Sequence, residues 1–196
     1  MMVIGVTGGM ASGKSTLAAM IAGRAILHID ADALVHRLMK EDRDTIDALA
    51  KAFPKVVNKG AVDRAALAAH ITKRPEALAA LEHILHPRVR AMEEGAIIHG
   101  RRNKIKAVVL DVPLLFETGL EEICDVVLVA HAPLSLRRQR AFKRKGMTEE
   151  KWDRLLDRQL PSHIRNRLGD HVIHTSLGKA ATRRLVAQLM KEWGLA

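Results

Sequence analysis

Gly8, Gly13, Lys14 and Ser15, inside the stretch "GVTGGMASGKST" (5–16), fit the spacing G-x-x-x-x-G-K-[ST]. The two glycines permit backbone conformations that side chains would block. Successive N–H groups can therefore converge on phosphate oxygens, and the positive end of a following helix adds to that field. Lys14 is expected to reach the β- and γ-phosphates of a nucleotide, and the Ser15 hydroxyl to ligate Mg²⁺. The nucleotide-contacting set read from the loop is Gly8, Gly9, Ala11, Ser12, Gly13, Lys14, Ser15 and Thr16.

Two carboxylates follow a little later, Asp30 and Asp32, in "HIDAD". They stand at the expected carboxyl end of a second strand, the edge that lines the ligand crevice of an open α/β sheet. Two residues apart on an extended chain, they would point to the same side. A carboxylate there can orient an acceptor hydroxyl and take its proton, the chemistry that a phosphotransferase requires. Capping of the next helix, starting near Ala33, is the plainer alternative. No N-K-x-D segment is present to read guanine, and "DVP" (111–113) running into apolar "LLF" is unlike a hydrolytic ATPase. The loop and the acids together indicate phosphoryl transfer.

The elements that must position these groups are legible as short apolar runs. "MVIGVT" (2–7) enters the loop, and "SGKSTLAAMIAG" leaves it with helical spacing at Leu17, Met20 and Ile21. "AILHI" (25–29), "KAVVLDVPLLFE" (106–117), "DVVLVAHA" (125–132) and "DHVIHT" (170–175) read as further strands, the near-continuous ones suited to a parallel sheet buried on both faces. From about Leu34 to Gly100 the chain reads as mainly helical, and an amphipathic helix closes it from about Gly178 to Trp193. Five strands interleaved with helices imply a doubly wound α/β fold.

Composition narrows the partners. The 196 residues, 48% hydrophobic and 28% charged, suit one buried core with a small inserted lobe. No apolar run approaches the ~20 residues of a membrane span. With "MMVIGVTGG" leading straight into the loop, no secretory leader is expected. Cys124 is the one cysteine, so no internal disulfide is possible. A cytoplasmic setting is expected. The net charge of +10 fits a polyphosphate ligand better than nucleic acid: there is no Tyr, with three Phe and two Trp, so stacking platforms are scarce.

In this order the segments resemble one family, dephospho-coenzyme A kinase, nearly end to end. "VTGGMASGKST" is similar to its opening, "IDADALVHRL" (29–38) to its Asp-Ala-Asp segment, "LHPRVR" (85–90) to its His-Pro element and "VPLLFE" (112–117) to its Pro-Leu-Leu-Phe-Glu run. "QRAFKRKGMTEE" and "RQLP" resemble its lid and the Arg/Gln stretch beyond it, and "DHVIHT" its last strand. Met10-Ala11 stands where the family commonly has Ile-Gly, Lys145 where an acid usually follows the lid arginine, and Thr175 where many members carry Asn.

The resemblance implies a three-layer phosphate-loop NTPase fold with a five-stranded parallel sheet. A core of about 1–33, 104–136 and 168–196 would carry a helical acceptor lobe of about 34–103 and a lid of about 137–167. It implies ATP and Mg²⁺, and transfer to the ribose 3′-hydroxyl of dephospho-CoA, with no nucleic-acid, membrane or obligate protein partner. Asp32, Lys14 and Arg140 would be catalytic, and Arg144 would help hold the nucleotide. His86, Pro113, Leu114 and Asp32 would meet the acceptor, and Asp30 would support Mg²⁺ through water beside Ser15. Most of the six cations in "RRQRAFKRK" (137–145) would be a solvated helix face. Pro87 is expected to set a helix boundary, with His86 beside it. Asp111 and Glu117 stay open between substrate or metal contact and capping. Another small-acceptor kinase, of shikimate or a nucleoside monophosphate, is the nearer alternative; a basic nucleotide-regulated binding module is the more distant one.

Overall fold

The computed structural model describes residues 1–23, 25–72 and 74–196. The chain runs β1 (Met2–Gly8), α1 (Lys14–Ile21), β2 (Ile26–Asp30), α2 (Ala31–Glu41) and α3 (Arg43–Ala52). A hairpin of β3 (Val57–Asn58) and β4 (Ala61–Val62) precedes α4 (Arg64–Ile71) and α5 (Pro75–Arg102). Then come β5 (Ala107–Asp111), β6 (Val126–His131), α6 (Leu134–Phe142), α7 (Glu149–Asp157), α8 (Ser162–Leu168), β7 (His171–His174) and α9 (Lys179–Glu192). The residues fall into two compact units, one of Met1–Asp30 with Ile97–Ala196, the other of Ala31–Ala96.

The first unit is built on a five-stranded sheet, order β2-β5-β1-β6-β7, with every pairing parallel. Helices cover both faces, so the inner strands β1, β5 and β6 are mostly apolar; all five residues of β5 are buried. Ile4, Val6, Val109, Leu128 and Ile173 pack on Leu17, Ala18 and Ile21 of α1 and on Val186, Leu189 and Met190 of α9. The alternate residues, Val3, Val108, Leu110, Val127 and Val129, are buried on the opposite face. There the chain leaving α8 runs so close that a Cβ on Gly169 would overlap the Val129 side chain. The architecture is a three-layer α/β sandwich.

The second unit has its own core of Met39, Ile46, Leu49, Phe53, Val56, Val62, Leu67, Leu81 and Leu85. Ile46 and Leu49 supply it from α3 and Phe53 from the residue that caps that helix. Two of its helices are started by carboxylates: Asp42 accepts from Thr45 N at 2.9 Å, and Asp63 accepts from Ala65 N at 2.9 Å and Ala66 N at 3.1 Å. Each such cap stabilises its helix by about 1 kcal/mol.

Three expectations need correction. The strand expected over 106–117 ends at Asp111, and 113–119 form turns. The insertion, expected to be mainly helical, also contains the β3–β4 hairpin. Its two-residue turn places Lys59 at φ 49° and Gly60 at φ 79°, the left-handed pair that a type I′ turn requires. Pro87 does not end a helix, because α5 continues through it for 28 residues in all. Pro87 has no N–H for the carbonyl one turn back, and within the interrupted turn Arg88 Nη1 donates to Ile84 O at 2.7 Å. Finally, Asp30 and Asp32 do not share one extended face: Asp30 ends β2 and Asp32 lies in the first turn of α2, which starts at Ala31.

Glu93, on α5, is 2% exposed, and burial pushes its carboxyl from an ordinary 4.5 up to about 7, with Arg90 opposing. The folded protein holds this proton more tightly than the unfolded chain, so stability is lost as pH rises from about 4.5 through 7. Glu93→Gln removes the buried charge and should stabilise the protein by about 3 kcal/mol at pH 8, with the gain vanishing near pH 4. Urea titrations at the two pH values read this directly. A gain that does not depend on pH would exclude the carboxylate as its source.

Candidate active site at the phosphate loop

Between β1 and α1 the chain turns tightly. Ser12 N donates to Gly9 O at 2.9 Å, Leu17 N to Gly13 O at 3.0 Å, and Gly13 takes φ 96° as the N-cap of α1. A Cβ on Gly8 would come within 2.6 Å of Ala130 O, so the approach of β6 demands glycine there. Ala11 sits at φ 60°, a left-handed position usual for glycine. No side chain caps α1, so its first N–H groups point from the loop toward any anion seated on it.

Lys14, the first residue of α1, pairs its ammonium with Asp111 Oδ1. Asp111 is fully buried at the carboxyl end of β5, beside Val6 on β1 and Asp30 on β2. His28 Nε2 lies 3.7 Å from its second oxygen, which has no hydrogen-bond partner. Three parallel strands thus bring the loop lysine and two carboxylates to one sheet edge. Asp111, left open between substrate or metal contact and capping, stands here as the counter-charge of Lys14. Glu117 turns elsewhere and accepts from Leu160 N at 2.8 Å.

Among the described residues, no group of three or more His, Cys, Asp or Glu side chains could hold a metal ion alone. That suits Mg²⁺, which binds through one or two protein oxygens plus substrate phosphates. The exposed Ser15 hydroxyl, Asp30 and the unpartnered Asp111 oxygen are hard oxygen donors of the right kind.

Arg140 donates from Nη1 to Thr175 Oγ1 at 3.3 Å and from Nη2 to Thr175 O at 3.2 Å. Thr175 Oγ1 in turn donates to Ser12 O. Arg140 and Arg144 line a cavity of about 270 Å³ together with Ala11, Gly13, Thr16 and Thr175. Pro113 follows β5, and its carbonyl accepts from Thr7 Oγ1 at 3.3 Å; Leu114 lies beside it in the same turn. Asp32 and His86 belong to the helical unit, both exposed, on α2 and α5.

Sequence reading overlooked Arg137 and Gln159. Arg137 is 3% exposed, and its Nε donates to Met10 O at 2.9 Å. Met10 N donates to Gln159 Oε1 at 2.9 Å, so both residues grip the loop. Burial, with Arg165 nearby, pushes the Arg137 guanidinium down to about 10. A usable signal existed: Arg137 and Ala141, four apart, form the buried stripe of α6.

A phosphate loop between a parallel strand and a helix, with acids at the adjoining strand ends, defines a P-loop phosphotransferase. The family described as CoaE, dephospho-CoA kinase, matches residues 2–180, and the chain belongs to that family. It is 45% identical over 161 residues to the dephospho-CoA kinase of Paramagnetospirillum magneticum, covering 82% of this chain and 76% of that one. To the dephospho-CoA kinase of Gluconobacter oxydans it is 41% identical over 194 residues, 97% and 96% of the two chains. The crystal structure of TT1252 from Thermus thermophilus superposes with a TM-score of 0.80 at 33% identity, covering 97% of each chain.

Proposed function

We propose that this protein transfers the γ-phosphoryl group of ATP to the ribose 3′-hydroxyl of dephospho-CoA, giving coenzyme A and ADP as the last step of coenzyme A synthesis. The observation that carries the reading is the edge where Lys14, Asp111 and Asp30 meet the uncapped start of α1, in a chain of the dephospho-CoA kinase family. The loop N–H groups and Lys14 hold the β- and γ-phosphates and stabilise the charge of the transferring group. Ser15 and Asp30, the latter through water, would hold Mg²⁺, which when bound screens the phosphate charge. Arg140 and Arg144 add positive charge from the side of the cavity that they line. Asp32 orients the acceptor hydroxyl and takes its proton. His86, Pro113 and Leu114 contact the acceptor.

Within the chain, residues 31–96 act as the acceptor lobe and α6–α8 as a lid whose closure excludes water that would compete as acceptor. No nucleic-acid, membrane or obligate protein partner is needed. No helix among the described residues is long and apolar enough to cross a membrane, in keeping with a cytoplasmic enzyme.

The test is direct. Purified protein with ATP, Mg²⁺ and dephospho-CoA should release ADP and yield a product one phosphate heavier by mass. Shikimate and nucleoside monophosphates, run in parallel, should give no turnover. Turnover with one of them and none with dephospho-CoA would keep the phosphotransfer and overturn the acceptor.

A further inference from the structure

The peptide groups of Met10 are held at both ends. Its N–H donates to Gln159 Oε1 at 2.9 Å and its carbonyl accepts from Arg137 Nε at 2.9 Å. Arg137 Nη2 lies 3.5 Å from the same Gln159 oxygen, so the three residues close a ring, and Nη1 reaches Ser162 Oγ at 3.3 Å. The fit leaves no slack, since a Cβ on Gly9 would overlap the guanidinium. We propose that Arg137 and Gln159 are a pair of positioning residues that fix the nucleotide-binding shape of the phosphate loop through the backbone of Met10. The inference rests on the kinase reading above and deepens it.

Three features separate this pair from ordinary packing. First, Arg137 is a buried cation whose hydrogen bonds among the described residues go to neutral acceptors, a carbonyl, an amide and a hydroxyl. Among the described residues no ion pair includes it. A buried guanidinium without a carboxylate is costly unless its charge is used. Its electrostatic neighbour is a second buried cation, Arg165, whose own charge faces the Glu117 carboxylate, so Arg137 is the cation left without a carboxylate beside it among the described residues. Second, Arg137 comes from α6 and Gln159 from the segment between α7 and α8, so two separate elements converge on one residue of the loop. Third, the contact is made to backbone atoms. Met10 can vary in side chain without breaking the grip, whereas Gly9 cannot.

Because the pair acts on the loop and not on one phosphate, ATP and ADP should suffer alike. In Arg137→Gln and in Gln159→Ala, the dissociation constants of both nucleotides, measured without acceptor by titration calorimetry, should rise about tenfold. The KM for dephospho-CoA should stay within about twofold, since no acceptor contact is touched. Arg137→Lys keeps the charge but cannot reach three acceptors from one ammonium, and should fall between wild type and Arg137→Gln. The double variant should bind nucleotide about as weakly as either single one, because the loop at Met10 is released in each case.

Thermal melting accompanies each measurement. Should Arg137→Gln fail to fold, Gln159→Ala and Arg137→Lys carry the same test. Wild-type nucleotide affinity in Gln159→Ala and in whichever Arg137 variants fold would overturn the proposal. So would a loss confined to ATP, or single effects that multiply in the double variant. A wild-type protein that binds nucleotide but ignores dephospho-CoA would instead overturn the acceptor assignment and leave these binding comparisons standing.

Discussion

Lys14→Ala should lower acceptor-dependent ADP formation by roughly 10²–10³-fold or more, the loss usual when a preorganised positive group at a transferring centre is removed. The same change should destabilise the protein by about 3–5 kcal/mol, because Asp111 is fully buried and Lys14 is its counter-charge. The two effects separate cleanly. Lys14→Ala combined with Asp111→Asn removes the uncompensated carboxylate, so chemical denaturation should show stability largely regained while turnover stays lost. A double variant with restored turnover would show that Lys14 serves the fold and not the phosphates.

Asp32→Asn should have the second large effect, a fall in kcat of about 10²–10⁴-fold, the range typical for loss of a positioned general base. ATP affinity should be nearly unchanged, since Asp32 lies in the first turn of α2 and not in the phosphate loop. Single-turnover rates set beside equilibrium ATP titrations distinguish a chemical defect from a binding one. Full activity in Asp32→Asn would remove it from the mechanism. In that case its place in the first turn of α2 would be one of helix stabilisation.

The sheet was the most legible part of this chain because strands covered on both faces can hardly contain polar residues. Runs such as "AVVLD" and "VVLVAH" announce themselves for that reason. The β3–β4 hairpin was not legible as strand: two residues on each side are too short for alternation. Pro87 misled because the restriction it places on the preceding residue is a tendency, and here tertiary packing of α5 prevails over it.

At the site, the phosphate loop was readable because backbone geometry itself dictates glycine, lysine and serine at fixed spacing. For Asp30 and Asp32 the assumed alternation failed, since α2 begins at the residue after β2 ends. Arg137 was hidden among five other cations in nine residues, and only its burial distinguishes it. The role of Asp111 depends on a partner 97 positions away, which no local pattern encodes.

The Lys14–Asp111 pair has one further consequence. A phosphate arriving at Lys14 competes with an anion already in place, so its binding is an exchange of ion pairs rather than the capture of a free cation. The gain from Lys14 is then a difference, small for weakly charged anions and large only for those whose charge density exceeds that of a single carboxylate. Chloride and acetate should therefore inhibit weakly even at high concentration, while pyrophosphate and triphosphate compete well. The loop is tuned by subtraction: a buried carboxylate sets the threshold of charge below which an anion does not displace it.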